Sequence, residues 1–304
     1  MLSRRNALLF LVTLIAVAAA AQTPSAIELS WAPRAIAAGS PCLFRAHVAG
    51  SPSSVQAKWM GRELIFFPSS AHHLWYALAG VDVETKPGNY TLEMELTFLN
   101  NQVVRQRKTI LVAPDNYKRE TLRVPERFVQ PDPETLQRIE AERKIKDAAF
   151  SHQAPEPEWS GRFVPPIDTT VSEGFGTRRT FNGKLASIHR GLDYHAKPGT
   201  PVTAANSGEV VLARELFYEG NCVIIDHGQQ FMTLYMHLSH LEVSEGEKVE
   251  KGQEIGLSGA TGRATGPHLH TAVRWQGAYL DPAQLWLLQL PNLLSAAQPG
   301  ETGN

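Results

Sequence analysis

His268-Leu269-His270-Thr271-Ala272-Val273-Arg274-Trp275, entered through Gly266-Pro267, is the stretch on which the reading of this chain turns. It reads as a β-strand, and Gly266-Pro267 fix how the chain enters it. Residues two apart on a strand share a face, so His268 and His270 look into the same space. A second pair lies upstream. His189 and Asp193 are four apart and face the same way on a strand or a helix. Gly191 between them and Pro198-Gly199 beyond argue against a helix. Between the two pairs sits Tyr235-Met236-His237-Leu238. Imidazole and carboxylate are among the ligands zinc prefers, and a catalytic zinc takes three protein ligands and keeps one position for water. Five candidates for three places leave two histidines over. Metal-assisted hydrolysis needs such groups beside the ion, to handle protons and the oxyanion.

Each short motif is weak alone; the order of the surrounding motifs is not. The chain has Phe175-Gly176-x-Arg178, then His189-Arg-Gly191-Leu-Asp193-Tyr194, Gly199-Thr-Pro201-Val and Gly208-Glu-Val210-Val. Gly220-Asn221-Cys-Val-Ile-Ile-Asp226-His227-Gly228 and Thr233-Leu-Tyr235-Met-His237-Leu238 follow. Gly259-Ala-Thr261-Gly262-Arg-Ala-Thr265-Gly266-Pro267-His268-Leu-His270 closes the series. In this order the motifs closely resemble the lysostaphin-type (LytM-type) zinc endopeptidases, which cut the peptides of bacterial peptidoglycan. The likeness covers roughly residues 163 to 285. It implies that His189, Asp193 and His270 hold one Zn2+, and that His268 and His237 flank the attacking water. It also implies an open β-sandwich or partial barrel of the duplicated hybrid motif type, with the metal at the bottom of a groove. Two departures from the pattern, Thr271 after His270 and Tyr194-His195 after Asp193, are expected at most to line that groove. No His-Glu-x-x-His helix is present, so no glutamate is offered as the base; a neutral histidine can replace it.

The remaining histidines are given ordinary roles. His227 reads as a turn residue between two apolar strands, and His195 and His240 as rim or loop residues. His47, His72, His73 and His152 have no ligand spacing to the site.

Upstream of this region the chain reads as two further parts. Residues 26 to 113 hold short runs of alternating polar and apolar residues, such as Pro41-Cys-Leu-Phe-Arg-Ala-His-Val48 and Tyr90-Thr-Leu-Glu-Met-Glu-Leu96, separated by turn signals such as Lys86-Pro-Gly-Asn89. They are expected to form an immunoglobulin-like β-sandwich that spaces the enzyme or binds cell wall or a partner protein. Residues 114 to 162 read as a charged, proline-containing linker with one helix, Pro133 to Phe150, capped by Asp132. Its apolar stripe is thin, so it is expected to lie against a domain surface. In related latent enzymes an upstream segment can cover the metal. The whole chain is therefore expected to be mostly β, with the peptidase domain at 163–287 and a fraying tail at 288–304.

The first residues bear on location. Arg4-Arg5 precede an apolar run from Ala7 to Ala21, too short for the ~20 residues of a comfortable span. It ends in an Ala-x-Ala site and reads as a secretory signal peptide over residues 1–21, with an uncleaved anchor as the alternative. Export to the periplasm or cell envelope follows. Without Arg4 and Arg5 the chain has 27 basic against 30 acidic residues. No basic patch is evident, so nucleic acid is not an expected partner. Cys42 and Cys222 fall in different predicted domains; they read as buried thiols, with an interdomain disulfide as the alternative in an oxidising compartment.

Two rival functions compete with the peptidase reading. A non-catalytic relative that activates other cell-wall hydrolases would lack ligands, yet all five residues are present. Ser244 to Gly256 resembles the turn segments of biotinyl and lipoyl carriers, but Lys248 and Lys251 lack the usual flanks. The sequence leaves open whether a glycyl bridge or a D-alanyl cross-link to a diamino acid is cut; export without wall-anchoring repeats fits a periplasmic cross-link endopeptidase.

Overall fold

A strand buried on both faces reads as a continuous apolar run, and one buried on a single face alternates. Both patterns occur here and decide the architecture. The computed structural model describes residues 27–69, 73–122, 131–181 and 185–291. The segment read from the sequence as a signal peptide and the tail from residue 292 lie outside them.

The first part contains β1 (Ile27–Ala32), β2 (Ile36–Ala37), β3 (Pro41–Val48), β4 (Pro52–Trp59), β5 (Arg62–Pro68), β6 (Leu74–Gly80), β7 (Gly88–Phe98) and β8 (Val103–Ala113). They run in the order β1-β3-β6-β5-β4-β7-β8-β2. Alternate residues, among them Phe44, Val55, Trp59, Leu64, Phe66, Leu92 and Leu96, point inward and are buried. The indole of Trp59 donates to the Gly80 carbonyl at 3.0 Å, so its one polar atom is satisfied inside the core. The connector then supplies β9 (Arg119–Leu122) and α1 (Pro133–Phe150). Asp132 caps α1 by accepting from Thr135 N at 2.8 Å, with Pro133 at the first turn, as the sequence predicts.

The last part contains β10 (Val171–Glu173), β11 (Arg178–Phe181), β12 (Leu185–Ile188), β13 (Leu192–His195), β14 (Pro201–Thr203), β15 (Gly208–Leu216) and β16 (Gly220–Asp226). It ends with β17 (Phe231–Leu241), β18 (Lys248–Val249), β19 (Glu254–Ser258), β20 (His268–Trp275), β21 (Ala278–Leu280) and α2 (Pro282–Leu287). The main path is β10-β13-β20-β17-β16-β15-β18; β19 pairs with β14 and β17, and β21 with β20. Strands β12, β11 and β9 form a small separate sheet, in which the connector strand β9 runs parallel to β11.

The main sheet buries both faces, as the run Cys222-Val-Ile-Ile requires. Val223, Ile225, Phe231 and Tyr235 enter one core. Cys222, Ile224, Met232, Leu234 and Ala272 enter a second, closed by Ala149 and flanked by Ile145 and Phe150 of α1. The thin stripe on α1 is thus enough, because the sheet supplies the rest of the apolar surface.

The two halves of the chain share one continuous core. The β20–β21 hairpin makes several of the contacts between them. Arg62 Nε donates to Gln276 O at 2.9 Å, Gln276 Nε2 to Glu63 O at 2.8 Å, and Tyr279 N to Asp82 Oδ2 at 2.9 Å. Leu280 packs so closely on Gly80 that an added Cβ would lie 2.2 Å from its Cδ2. The module of residues 26 to 113, read as separate from the sequence, is therefore docked on the last part of the chain. The disulfide alternative is not met: Cys42 and Cys222 are both buried and free, and they sit in different cores.

His227 does lie in the turn between β16 and β17, but it is wholly buried. Its Nδ1–H donates to Ser207 O at 2.7 Å, so its Nε2 accepts from the Thr233 hydroxyl at 2.8 Å. Thr233 Oγ1 accepts in turn from Tyr235 Oη at 2.8 Å, and Tyr235 Oη accepts from Ala205 N at 2.8 Å. Every donor direction in this chain follows from its two backbone ends. A proton on Nε2 would face the Thr233 hydroxyl hydrogen and break the sequence. Burial pushes the imidazole down to about 4 from its ordinary 6.5, partly offset by Ser207 O. Between those values the unfolded chain binds more protons than the folded one, so the stability from neutral His227 is complete above about pH 6.5 and is lost as the pH falls toward 4. By pH 5 the loss is about 2 kcal/mol. Chemical denaturation at pH 7 and pH 5 should show the stability gap between wild type and His227→Gln narrowing by about that amount; a constant gap would contradict this account of His227.

Candidate metal centre and groove

Antiparallel pairing sets the site. In the β13–β20 ladder Asp193 stands opposite His270 and His195 opposite His268. In the β17–β20 ladder Met236 stands opposite His270. Asp193, His268, His270 and Met236 therefore project from one face of the sheet, the face that α1 covers farther along.

The structure brings all five sequence-predicted residues together. His189 Nε2 lies 3.0 Å from Asp193 Oδ1 and 3.0 Å from His270 Nδ1, and His270 Nδ1 lies 2.7 Å from Asp193 Oδ1. Among the described residues this is the one His/Cys/Asp/Glu trio close enough to share an ion. A tetrahedral zinc with bonds of ~2.0 Å spans ligand pairs about 3.3 Å apart, so the trio needs to open by only a few tenths of an ångström.

The outer atoms of the trio are already occupied. His189 Nδ1–H donates to Gly174 O at 2.9 Å, which leaves the lone pair on Nε2 aimed at the cluster. Arg179 donates to Asp193 Oδ2 at 2.7 Å while its guanidinium also grips Glu173, so Oδ1 is the carboxylate oxygen left for the centre. Such partners fix ligand tautomer and orientation. Gly191 makes room: a Cβ there would sit 2.6 Å from His270 Nε2. Burial alone would raise the Asp193 carboxyl, but the adjoining His189 and His270 imidazoles outweigh it and hold it far below the carboxylate range. Burial pushes His270 down, with Asp193 opposing. Two imidazoles and one carboxylate kept ready for a cation fit zinc.

The two flanking histidines are oriented by the same device. His237 Nδ1 donates to Thr261 O and His268 Nδ1 to Gly266 O, both at 2.8 Å. A carbonyl can only accept, so each ring carries its proton on Nδ1 and presents Nε2 as an acceptor. The rings are 4.7 Å apart, and His268 Nε2 is 3.9 Å from Asp193 Oδ1. His237 occupies a β-bulge: Asn221 pairs with Leu238 but Val223 with Tyr235. Its φ is +63°, a left-handed backbone that is uncommon for a side-chain-bearing residue, and its N–H is met by Glu219 O at 2.8 Å. The bulge turns the imidazole into the groove while Leu238 returns to the core. Burial, then the nearby His270 and His268, push His237 down to about 3.

The groove also contains residues that sequence reading missed: Glu173, Arg179, Tyr218, Glu219 and Arg263. The motif reading stopped one residue short of Arg179, choosing the exposed Arg178. Tyr194, His195 and Thr271, expected as lining, are not in the groove. Tyr194 and Thr271 are buried, and Trp286 Nε1 donates to Tyr194 Oη at 2.9 Å; His195 is exposed on the rim. His152, read as having no ligand spacing to the site, bonds Asp226 at 2.9 Å and pins the end of α1 to the sheet. No connector residue lines the groove among the described residues, although Lys146 of α1 pairs with Glu219 in its wall at 2.5 Å. Lys248, weighed as a carrier lysine, is bound to Glu158 and Glu209.

Comparison with known proteins agrees with this geometry. Residues 187–282 match peptidase family M23. Peptidoglycan DD-endopeptidase ShyA of Vibrio cholerae is 47% identical over 108 residues, covering 34% of this chain and 25% of that protein. DD-carboxypeptidase/endopeptidase Mpg of Neisseria meningitidis is 39% identical over 132 residues, covering 43% of this chain and 30% of that protein. The chain thus spans about a quarter to a third of the curated relatives it matches. A Pseudomonas aeruginosa crystal structure assigned to peptidase M23 superposes with a TM-score of 0.63 at 28% identity, over 82% of this chain and 94% of that one.

Asp193→Asn keeps the shape of the side chain and removes its charge. Competition against a chromophoric chelator should show zinc affinity falling by about two orders of magnitude; unchanged affinity and stoichiometry would place the ion elsewhere.

Proposed function

We propose, from the match of residues 187–282 to peptidase family M23, that this chain is a zinc-dependent endopeptidase cutting the peptide cross-links of bacterial peptidoglycan in the cell envelope. The observation that carries the reading is the convergence of His189 Nε2, Asp193 Oδ1 and His270 Nδ1 within 2.7–3.0 Å of one another, beside two imidazoles whose Nε2 atoms are left as acceptors. The peptidoglycan-directed names of the relatives support the substrate class. Among the described residues no helix is long and apolar enough to cross a membrane.

Zinc held by the trio supplies Lewis acidity and lowers the pKa of water toward ~7. The chain's own residues do the rest. His237 stays neutral because burial disfavours its charged form, so its Nε2 orients the attacking water by accepting a hydrogen bond. His268 is less buried, with 17% of its side chain exposed against 8% for His237 as a whole residue. Its Nε2 receives the proton from that water and returns it to the leaving amine nitrogen. While protonated, it donates to the tetrahedral oxyanion on the substrate carbon. Arg179 and the Gly174 carbonyl keep the ligand side chains from reorienting as charge develops, which matters because a loss of positioning by an ångström can cost about 10²-fold in rate. The complete set of five residues weighs against a non-catalytic activator.

His268→Ala should retain one zinc per chain by elemental analysis and lose about 10²- to 10⁴-fold in turnover on purified, cross-linked peptidoglycan. Full activity of that variant would remove His268 from the mechanism. Digesting peptidoglycan of several chemotypes and identifying the new termini by mass spectrometry locates the bond cut; release of sugars alone, with no new peptide termini, would refute the endopeptidase reading.

A further inference from the structure

Helix α1 carries Arg138, Glu142 and Lys146 at intervals of four, which puts them on one face, and all three reach the turn that joins β15 to β16. Arg138 lies over Phe217, its guanidinium 5.7 Å from the ring centre, and its Nε donates to Glu142 Oε1 at 2.6 Å. Glu142 Oε2 accepts from Phe217 N at 2.7 Å. Lys146 Nζ donates to Glu219 Oε1 at 2.5 Å. These are not loose surface pairs: the Glu142 side chain is 12% exposed, and those of Lys146 and Glu219 are 24% and 15% exposed. Arg143, by contrast, is 60% exposed and pairs with Glu140 and Asp147 of α1 itself.

The same turn holds His237. The Glu219 carbonyl accepts the His237 N–H at 2.8 Å. Gly220 packs flush on Thr261, where an added Cβ would lie 2.2 Å from Oγ1, and that Oγ1 accepts from Asn221 N at 2.9 Å. The Thr261 carbonyl then accepts from His237 Nδ1 at 2.8 Å. His237 has a φ of +63°, a conformation that persists only where its surroundings impose it. Among the described residues Glu219 Oε2 has no hydrogen-bond partner, so the carboxylate hangs on Lys146. Taking that ammonium away would leave a buried carboxylate without a donor, which is costly enough to displace the turn.

We propose that α1 is part of the catalytic unit: Glu142 and Lys146 are positioning residues that hold the 217–219 turn and, through the Glu219 carbonyl, fix the imidazole of His237 in the groove. The proposal rests on the hydrolase reading above and gives a role to a connector that precedes the family match at 187–282. Neither residue lines the groove, so each acts through the turn. The trio of His189, Asp193 and His270 makes no contact with α1, so metal binding and turnover are separable. The far end of the helix has its own anchors. Ala149 enters the core, His152 bonds Asp226, and the Arg274 guanidinium lies 3.9 Å from the centre of the Phe150 ring. The helix therefore stays docked when Lys146 is changed.

The test compares the full, zinc-loaded wild type with Lys146→Met, Lys146→Arg and Arg143→Ala. Three quantities are measured: kcat and KM on a soluble cross-linked muropeptide dimer, zinc affinity by chelator competition, and amide hydrogen exchange by NMR. Lys146→Met should lose about tenfold or more in kcat, with KM and zinc affinity within about threefold of wild type. Its His237 amide should exchange about ten- to a hundredfold faster, while Leu234, in the regular part of the same strand, keeps its wild-type rate. Lys146→Arg, which retains the charge and the donors, should restore both kcat and His237 exchange, and Arg143→Ala should match wild type. Wild-type kcat and His237 exchange in Lys146→Met would overturn the positioning role and leave the hydrolase standing. So would faster exchange along all of β17 together with weakened zinc binding, the mark of a merely structural contact. A zinc-loaded wild type that cleaves no cross-linked peptide would overturn the hydrolase reading and this proposal with it.

Discussion

Three unshared electron pairs point at one another between β13 and β20, and the structure is arranged to keep them there. The register that sets Asp193 opposite His270 brings a carboxylate oxygen to 2.7 Å from an imidazole nitrogen. His189 then adds a second imidazole at 3.0 Å from both. Such a cluster is satisfied only by a proton or a cation. Because β-pairing has a period of two, a slip of one residue between these strands would turn both His268 and His270 to the opposite face. The ladder is the constraint from which the site follows.

Both faces of the main sheet serve that constraint. On one, the directed chain from Ala205 through Tyr235, Thr233 and His227 to Ser207 locks β17 to the loop that precedes β15. On the other, α1 packs on Leu212, Ile224 and Leu234 and reaches the groove wall through Lys146. The bulge at His237 breaks the pairing of β17 with β16, and it is where a side chain must be aimed. Rigid strands around such an irregular residue suit a reaction whose geometry must hold within about half an ångström.

The sequence made the five central residues legible for a simple reason. Imidazoles two apart on an apolar strand, and a histidine four before an aspartate, are pairs whose faces follow from backbone period alone. The capped helix from Pro133 to Phe150 was equally plain, because Asp132 and Pro133 act locally. What stayed hidden depends on contacts between distant segments. Arg179 looks like its neighbour Arg178 until β11 pairs with β12 and turns it toward Asp193. Glu219, Lys146 and Arg263 lie in three separate stretches that meet only when α1 docks beside the β15–β16 turn. Tyr194 looked like groove lining because it follows a ligand; strand alternation sends it inward, to Trp286. The docking of the first part through Gly80 and Leu280 gave no signal in composition.

The most direct measurement of the central claim is anomalous diffraction at the zinc edge from crystals of the purified full chain. The account predicts one ion per chain, bound by His189 Nε2, Asp193 Oδ1 and His270 Nδ1 together, with His237 and His268 beside it and not ligating. A structure from zinc-saturated protein with no peak between those three atoms, or with the ion held by His237 or His268 in place of one of them, would contradict it.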